Sequence, residues 1–276
     1  MKAAILQLNV TDDPVANLAV TVDMLRQAAA KGAEFVLTPE VTNCISTSRN
    51  HQNDVLSFEA DDITLEALRA KARALGVTLL IGSLGVQTGD ADGRFANRSF
   101  VIGPDGEIIA RYDKIHMFDV QISETETWRE SEGYRSGTEA VVAQTSFAKI
   151  GMSICYDVRF SHLYRALAQA GAQILTVPAA FSPVTGAAHW HALLRARAIE
   201  SGCFVIAPAQ TGTHASAQHK TRDTYGHSLV VDPWGEVLLD AGTEPGVYTF
   251  DLDMARVEAA RKKVPSLANA RAFSGP

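Results

Sequence analysis

Three side chains of different chemistry stand at the ends of apolar stretches: Glu40 after FVLTP, Lys114 in RYDKIHMFD and Cys155 in SICYDVRF. A thiol where a strand gives way to a helix meets backbone N–H groups and the positive end of a helix dipole, both of which favour the thiolate. The N–H of Tyr156 is placed to face a developing oxyanion. A carboxylate such as Glu40 suits a general base, and an ammonium such as Lys114 stabilises negative charge on a tetrahedral intermediate without reacting. Glu130, in TWRESEGYRSG, adds a second carboxylate. Each also has an ordinary reading: a core cysteine, a loop acid, a solvated strand-end lysine. Taken singly, these residues leave both readings open.

The elements that must position them alternate between strand and helix. KAAILQL (2–8) reads as a strand, and an amphipathic helix follows over about 15–30, with Ala19, Val22, Leu25 and Ala29 on one face. Residues 34–38 read as a buried strand. A helix capped by Asp61-Asp62 and stopped at Gly76 leads into the strand VTLLIGSLGV. Residues 97–114 form a hairpin about Gly103-Pro-Asp-Gly106. Residues 119–139 lack a period and read as a structured loop long enough to carry function. The strand 150–155 then runs straight into a helix over about 160–170. A strand at ILTVPAA, a helix over 187–201, the strand CFVIAPAQ, the hairpin SLVVDPWGEVLLD and a charged helix over 254–263 complete the chain. We expect one domain over 1–276, with a loose tail from about 265. Hairpins mixed with strand–helix units fit two sheets packed together with helices outside.

With 46% hydrophobic and 20% charged residues, the 276-residue chain has ample core material. A formal net charge of -6 argues against nucleic-acid and anionic-membrane partners. No window has transmembrane length, and three scattered cysteines without a leader point to a reducing, cytoplasmic setting.

Other polar residues carry weaker signals. His189 and His191 flank Trp190 near a helix start, where neighbouring side chains point apart, so packing or capping is expected there. His214, His219 and His227 lack a metal-ligand spacing. No metal or cofactor is expected. Arg195 and Arg197 face different ways, with at least one paired to an acid such as Glu200. Arg159 either forks onto a substrate carboxylate or bridges to Asp157 and braces the elbow, and bracing is the favoured reading.

Together, LTPE, YDKIHMFD, ES followed by Gly, and ICYDVRF resemble, in order, the nitrilase superfamily of carbon–nitrogen hydrolases. The resemblance runs from AILQLN to VVDPWGEVL, nearly the whole chain. PAAFSPVTGAAHW, LLRARAIES and YGHSLVVDPWG place it near the Nit branch. It implies an α/β fold, a four-layer α-β-β-α sandwich, and a homodimer or higher homo-oligomer formed through outer helices. It implies Glu40 as base, Lys114 as oxyanion cation, Cys155 as nucleophile and Glu130 as positioning carboxylate. Phe181 and Thr185 would line the pocket mouth, beside Tyr156 and Arg159 as substrate contacts. The activity implied is cofactor-free hydrolysis of a small carboxamide through a thioester. RARAIES and APAQTGTH resemble the deaminated glutathione amidase group. The alternatives are ω-amidase action on 2-oxoglutaramate, hydrolysis of a nitrile or an N-carbamoyl amino acid, and a catalytically silent binding protein. HASAQHKTRD departs in length from both Nit patterns.

Overall fold

The computed structural model describes residues 1–275 except 123, 125, 126 and 217–219, so His219 lies outside the described residues. Two six-stranded sheets carry the fold. The first runs Gly246–Asp251, Lys2–Gln7, Phe35–Leu37, Thr78–Gln87, Phe95–Ile102, Ile108–Asp113. The second runs Val237–Asp240, Leu229–Val231, Phe204–Ala207, Ile174–Thr176, Lys149–Met152, Val142–Gln144. Each has a three-strand parallel centre and antiparallel flanks. Parallel neighbours need long crossovers, and helices supply them; several antiparallel flank pairs, such as Phe95–Ile102 with Ile108–Asp113, close through short turns. One such turn is Gly103–Gly106, where the N–H of Gly103 donates to the Glu107 carbonyl and Gly106 takes φ +80°.

Alternation along the strands sets the layers. In the first sheet Ala4, Leu6, Val36, Leu79, Ile81, Phe100 and Ile102 share an apolar cluster with Leu25 and Ala28 of helix α1 (Pro14–Ala30) and Leu65 and Leu68 of α3 (Ile63–Leu75). Their strand neighbours Ala3, Ile5, Phe35, Leu37, Leu80 and Val101 turn the other way, into a core shared with Ile150, Ile174, Val205 and Val230 of the second sheet. Helices α4 (Ser161–Gln169) and α5 (Pro183–Ser201) add Leu163, Leu167 and Leu194 to that core. The layers are therefore α-β-β-α. The short helix α2 (Arg49–Val55) follows the Glu40 segment, and α6 (Ala255–Lys263) lies near the end of the chain. No helix among the described residues is long and apolar enough to cross a membrane.

Several local expectations change. The inward face of α1 is Asn17, Thr21, Met24, Leu25 and Ala28; Ala19 points outward and Val22 and Ala29 are half-buried. Polar residues hold inner positions because they are satisfied there. Asn17 Nδ2 donates to the carbonyls of Thr11 and Asn43, and Thr21 Oγ1 donates to the Asn17 carbonyl. The stretch 119–139 contains a small hairpin, Asp119–Gln121 with Thr127–Arg129, and a second pairs Thr211–His214 with Arg222–Tyr225. Strands of three or four residues are too short for a legible period. The strand before Cys155 ends at Met152, and a 3-10 turn, Cys155–Arg159, intervenes before α4.

One glycine fixes the segment leading to Glu40. The pairing of Thr78–Gln87 with Phe95–Ile102 shifts register between Ile81 and Leu84, and Gly82 sits in that irregularity. A Cβ on Gly82 would stand 2.1 Å from the Thr38 carbonyl oxygen and 2.4 Å from that of Pro39, both backbone atoms. Ser83 next to it accepts from Val41 N–H at 2.8 Å. Gly82→Ala should therefore destabilise the fold by about 3 kcal/mol or prevent folding, read as a shifted urea midpoint. An unchanged midpoint would contradict this reading of the contact.

Candidate active site

Glu40, Lys114 and Cys155 come from three different strand ends. Glu40 follows Phe35–Leu37, Lys114 follows Ile108–Asp113, and Cys155 follows Lys149–Met152. The backbone is bent sharply at two of these points. Val41, just past Glu40, has φ +50°, and Cys155 has φ +49°. A β-branched residue in this region is a true outlier, of the kind that persists only where surroundings over-determine it. At Val41 the N–H bond to Ser83 supplies that constraint. At Cys155 it is the N–H donated to the Pro178 carbonyl at 2.9 Å.

The three side chains converge. Lys114 Nζ donates to Glu40 Oε1 at 2.9 Å and to both oxygens of Glu130, at 2.9 and 2.8 Å. Lys114 is only 2% exposed and Glu40 4%. Asn97 Nδ2 donates to Glu40 Oε1 at 2.9 Å, and the Ala180 N–H donates to Oε2 at 2.8 Å. Gln210 Nε2 holds the Glu40 carbonyl at 3.0 Å. Glu130 is fixed by the Phe118 N–H, 2.6 Å from Oε2. The Cys155 thiol is buried in the same pocket lining as Glu40 and Lys114 and feels the Glu40 charge.

Electrostatics then assign the protons. Burial opposes a charge on Lys114, but Glu130 and Glu40 outweigh it and hold the ammonium well above its ordinary range. Burial likewise opposes the Glu40 carboxylate; Lys114, and after it Arg222, bring it below the usual value. For Cys155 burial and the Glu40 charge act together, pushing the thiol well above its ordinary 9.0 despite Lys114. The expected helix-dipole thiolate is thus corrected. A short 3-10 turn carries little dipole, and a third buried anion beside one ammonium is unfavourable. The resting pair is a neutral thiol beside an ionised carboxylate.

Asp157 locks the parts together from behind. Its carboxylate accepts from Tyr112 OH at 2.6 Å, His116 N–H at 3.0 Å, His116 Nδ1 at 2.7 Å and Ile154 N–H at 2.9 Å. It therefore ties the strand before Lys114 to the turn that bears Cys155. The favoured bracing of the elbow by an Arg159–Asp157 bridge is not formed. Arg159 instead hydrogen-bonds His189 Nδ1 at 3.3 Å and lies against the rings of Tyr156 and Phe181.

A cavity of about 390 Å³ opens over the triad, the size of a small-ligand site. Phe181 and Thr185 line it as expected, with Phe118, Trp128, Tyr134, Arg49, Arg129 and Arg222. The side chains of Tyr156 and Arg159 do not; Tyr156 packs edge-on against Phe118 and Phe160 instead. The Tyr156 N–H lies in the first turn of the 3-10 helix, where N–H groups lack acceptors within the helix.

Sequence reading missed Asn97, Ala180, Gln210 and Arg222, which touch or charge-couple to Glu40. Nothing local marks them. The expected Arg197–Glu200 pair forms at 2.7 Å, and Arg195 bonds the Gly235 carbonyl. Trp190 is buried and donates to the His227 carbonyl at 2.8 Å. His191 and His227, remote in sequence, meet on the Asp240 carboxylate, each at 2.9 Å. His214 bonds the Val10 carbonyl and Thr224. Cys44 and Cys203 are buried, with thiols raised to about 12 and about 11.

Residues 2–262 match the carbon-nitrogen hydrolase family, and the chain belongs to that family. Its likeness is to the Nit-branch nitrilase-superfamily members, and the family activity is hydrolysis of carbon–nitrogen bonds. A deaminated glutathione amidase of Synechocystis sp. is 38% identical over 96% of each chain. The crystal structure of the C. elegans NitFhit protein superposes with a TM-score of 0.90 at 36% identity, over 98% of this chain and 65% of that one. Saccharomyces cerevisiae Nit3, a member of branch 10 of the nitrilase superfamily, gives 0.84 at 28% identity, over 96% and 94%.

Because the thiol stays protonated, alkylation of Cys155 by iodoacetamide should rise with pH without a plateau up to pH 9, followed by peptide mass spectrometry. The sign follows from the raised pKa: thiolate accumulates only above the ordinary thiol value. A plateau reached near pH 7 would show a preformed thiolate.

Proposed function

We propose that the protein is a cysteine-dependent amidase whose substrate is deaminated glutathione, hydrolysed at the amide joining its 2-oxoglutaryl and cysteinylglycine parts. The carrying observation is the Lys114 ammonium held between Glu40 and Glu130, with the Cys155 thiol in the same cavity lining as all three.

The steps follow from proton ownership. Glu40 takes the Cys155 proton as sulfur attacks the amide carbonyl. The charge gained by the carbonyl oxygen is met by Lys114 and by the Tyr156 N–H. Glu40 passes the proton to the amide nitrogen, the C–N bond breaks and an amine departs, leaving a thioester on Cys155. Water then attacks the thioester, giving one proton to Glu40, which returns it to the sulfur as the acid is released. Atoms balance as amide plus water giving acid plus amine. Glu130 positions Lys114, and Phe181 and Thr185 shape the entrance. Arg159 does not line the cavity; packed against Phe181 and Tyr156, it supports the entrance from outside.

The named relative supports the substrate, and the cavity's arginines suit an anionic amide. The same reading includes a cytoplasmic homodimer built through the outer helices. Val184 and Ile199, exposed at 58% and 52% on α5, suit such a contact. No cofactor enters the scheme.

Wild-type protein should release a primary amine from deaminated glutathione faster than ammonia from 2-oxoglutaramate. Cys155→Ala should lower turnover at least a thousandfold while keeping the circular dichroism spectrum. Turnover retained in that variant would refute the nucleophile assignment. Preference for 2-oxoglutaramate would move the substrate assignment to the ω-amidase alternative.

A further inference from the structure

The cavity holds more positive charge than the reaction itself requires. Besides Lys114, Arg49, Arg129 and Arg222 line it. Their commitments differ. Arg49 is spent on structure: it donates to the carbonyls of Gly133 and Gly93, and its guanidinium lies 3.9 Å from the Phe95 ring centroid. Arg129 is exposed and donates to the Trp128 carbonyl. Arg222 is half-buried, lies 4.9 Å from the Trp128 ring centroid, and among the described residues its guanidinium makes one hydrogen bond, Nη2 to the Ala180 carbonyl at 2.7 Å. A guanidinium has five N–H donors, and among the described residues Arg222 meets no carboxylate within ion-pair distance.

Its location selects the part of a substrate it meets. Ala180, whose carbonyl holds Arg222, donates its N–H to Glu40 Oε2 at 2.8 Å. The Arg222 charge is close enough to lower the Glu40 carboxyl. Glu40 must face the departing nitrogen in order to protonate it, so Arg222 stands on the leaving-group side of the scissile bond. A planar cation over an aromatic ring, lining the cavity with N–H groups that meet no acceptor among the described residues beyond the Ala180 carbonyl, matches a carboxylate in bidentate geometry.

We propose that Arg222, seated on Trp128, is the subsite for the carboxylate of the leaving amine, and so selects amides whose departing half is itself an acid, such as a dipeptide. This rests on the amidase reading above and deepens it. It also separates the two substrate choices: an amide that releases only ammonia has no leaving half to place there.

The test compares deaminated glutathione with its C-terminal glycinamide, which lacks that carboxylate. Wild-type protein should show a KM at least tenfold lower for the acid. Whatever common slowing Arg222→Gln causes on both compounds through Glu40, it should reduce the ratio of kcat/KM for the acid over the glycinamide at least tenfold; Arg222→Lys should restore part of that ratio. These factors follow from the strength of a charge-assisted hydrogen bond. Equal wild-type KM values overturn the proposal without any variant. Equal losses on both compounds in Arg222→Gln overturn it in favour of a role through Glu40 alone. If wild-type protein turns over neither compound, the amidase reading has failed, and the subsite is judged by protection of Cys155 from alkylation. S-methylcysteinylglycine should protect in wild-type protein but not in Arg222→Gln, and its amide should protect in neither. Absence of protection by the acid overturns the subsite.

Discussion

An ammonium buried to 2% exposure is tolerable only because two carboxylates reach it, and the Lys114 contact with Glu40 and Glu130 is the constraint on which the site depends. Removing water from a charge costs several kcal/mol per ion, repaid only by good geometry and complete hydrogen bonding. Here the repayment is distributed. The Ala180 N–H satisfies Glu40 Oε2, which Lys114 does not reach, while Asn97 and the Phe118 N–H add second donors to the oxygens that Lys114 already meets. Two anions and one cation leave the cluster one charge negative. Burial first, and that surplus after it, keep the sulfur protonated at rest beside an ionised Glu40. In the proposed reaction the same lysine faces the charge that develops on the substrate oxygen, so that one cation would serve the resting and the reacting states.

The fold supplies the convergence that the charges require. Each sheet places parallel strands at its centre, and the ends of those strands, from both sheets, supply Glu40, Cys155 and the Ala180 segment. Lys114 arrives from a flanking hairpin. Asp157 is the fastener: fully buried, it holds Tyr112 and His116 on one side and Ile154 on the other. Left-handed backbone at Val41 and Cys155 shows that this convergence is reached at a local cost, of about 1–3 kcal/mol for each such residue. The packed two-sheet core can carry it.

Much of this was legible in the chain. Capping by Asp62 and arrest at Gly76 bounded α3 as expected, because caps are local chemistry. Glu40, Lys114, Glu130 and Cys155 stood out through four ordered segments, although no one of them was distinctive. What stayed hidden depends on distant partners. Asn97 reads as one polar residue in a strand, and its role appears only when Glu40, 57 positions away, is brought to it. Arg222 lies within the stretch HASAQHKTRD, which matched no pattern in length. Asp157 beside Arg159 suggested a local ion pair, yet four donors from three residues, Tyr112, His116 and Ile154, claim the carboxylate. The meeting of His191 and His227 on Asp240 was hidden for the same reason. The protonated thiol was illegible too, since it follows from burial and summed charge rather than from position in an element.

The most direct measurement of the central claim is the infrared S–H stretch of Cys155 at neutral pH, taken as the wild-type spectrum minus that of Cys155→Ala. A neutral thiol beside an ionised Glu40 predicts a distinct S–H band in the difference, together with a carboxylate band that Glu40→Gln removes. A difference spectrum without the S–H band, accompanied by thiolate ultraviolet absorbance, would contradict the account.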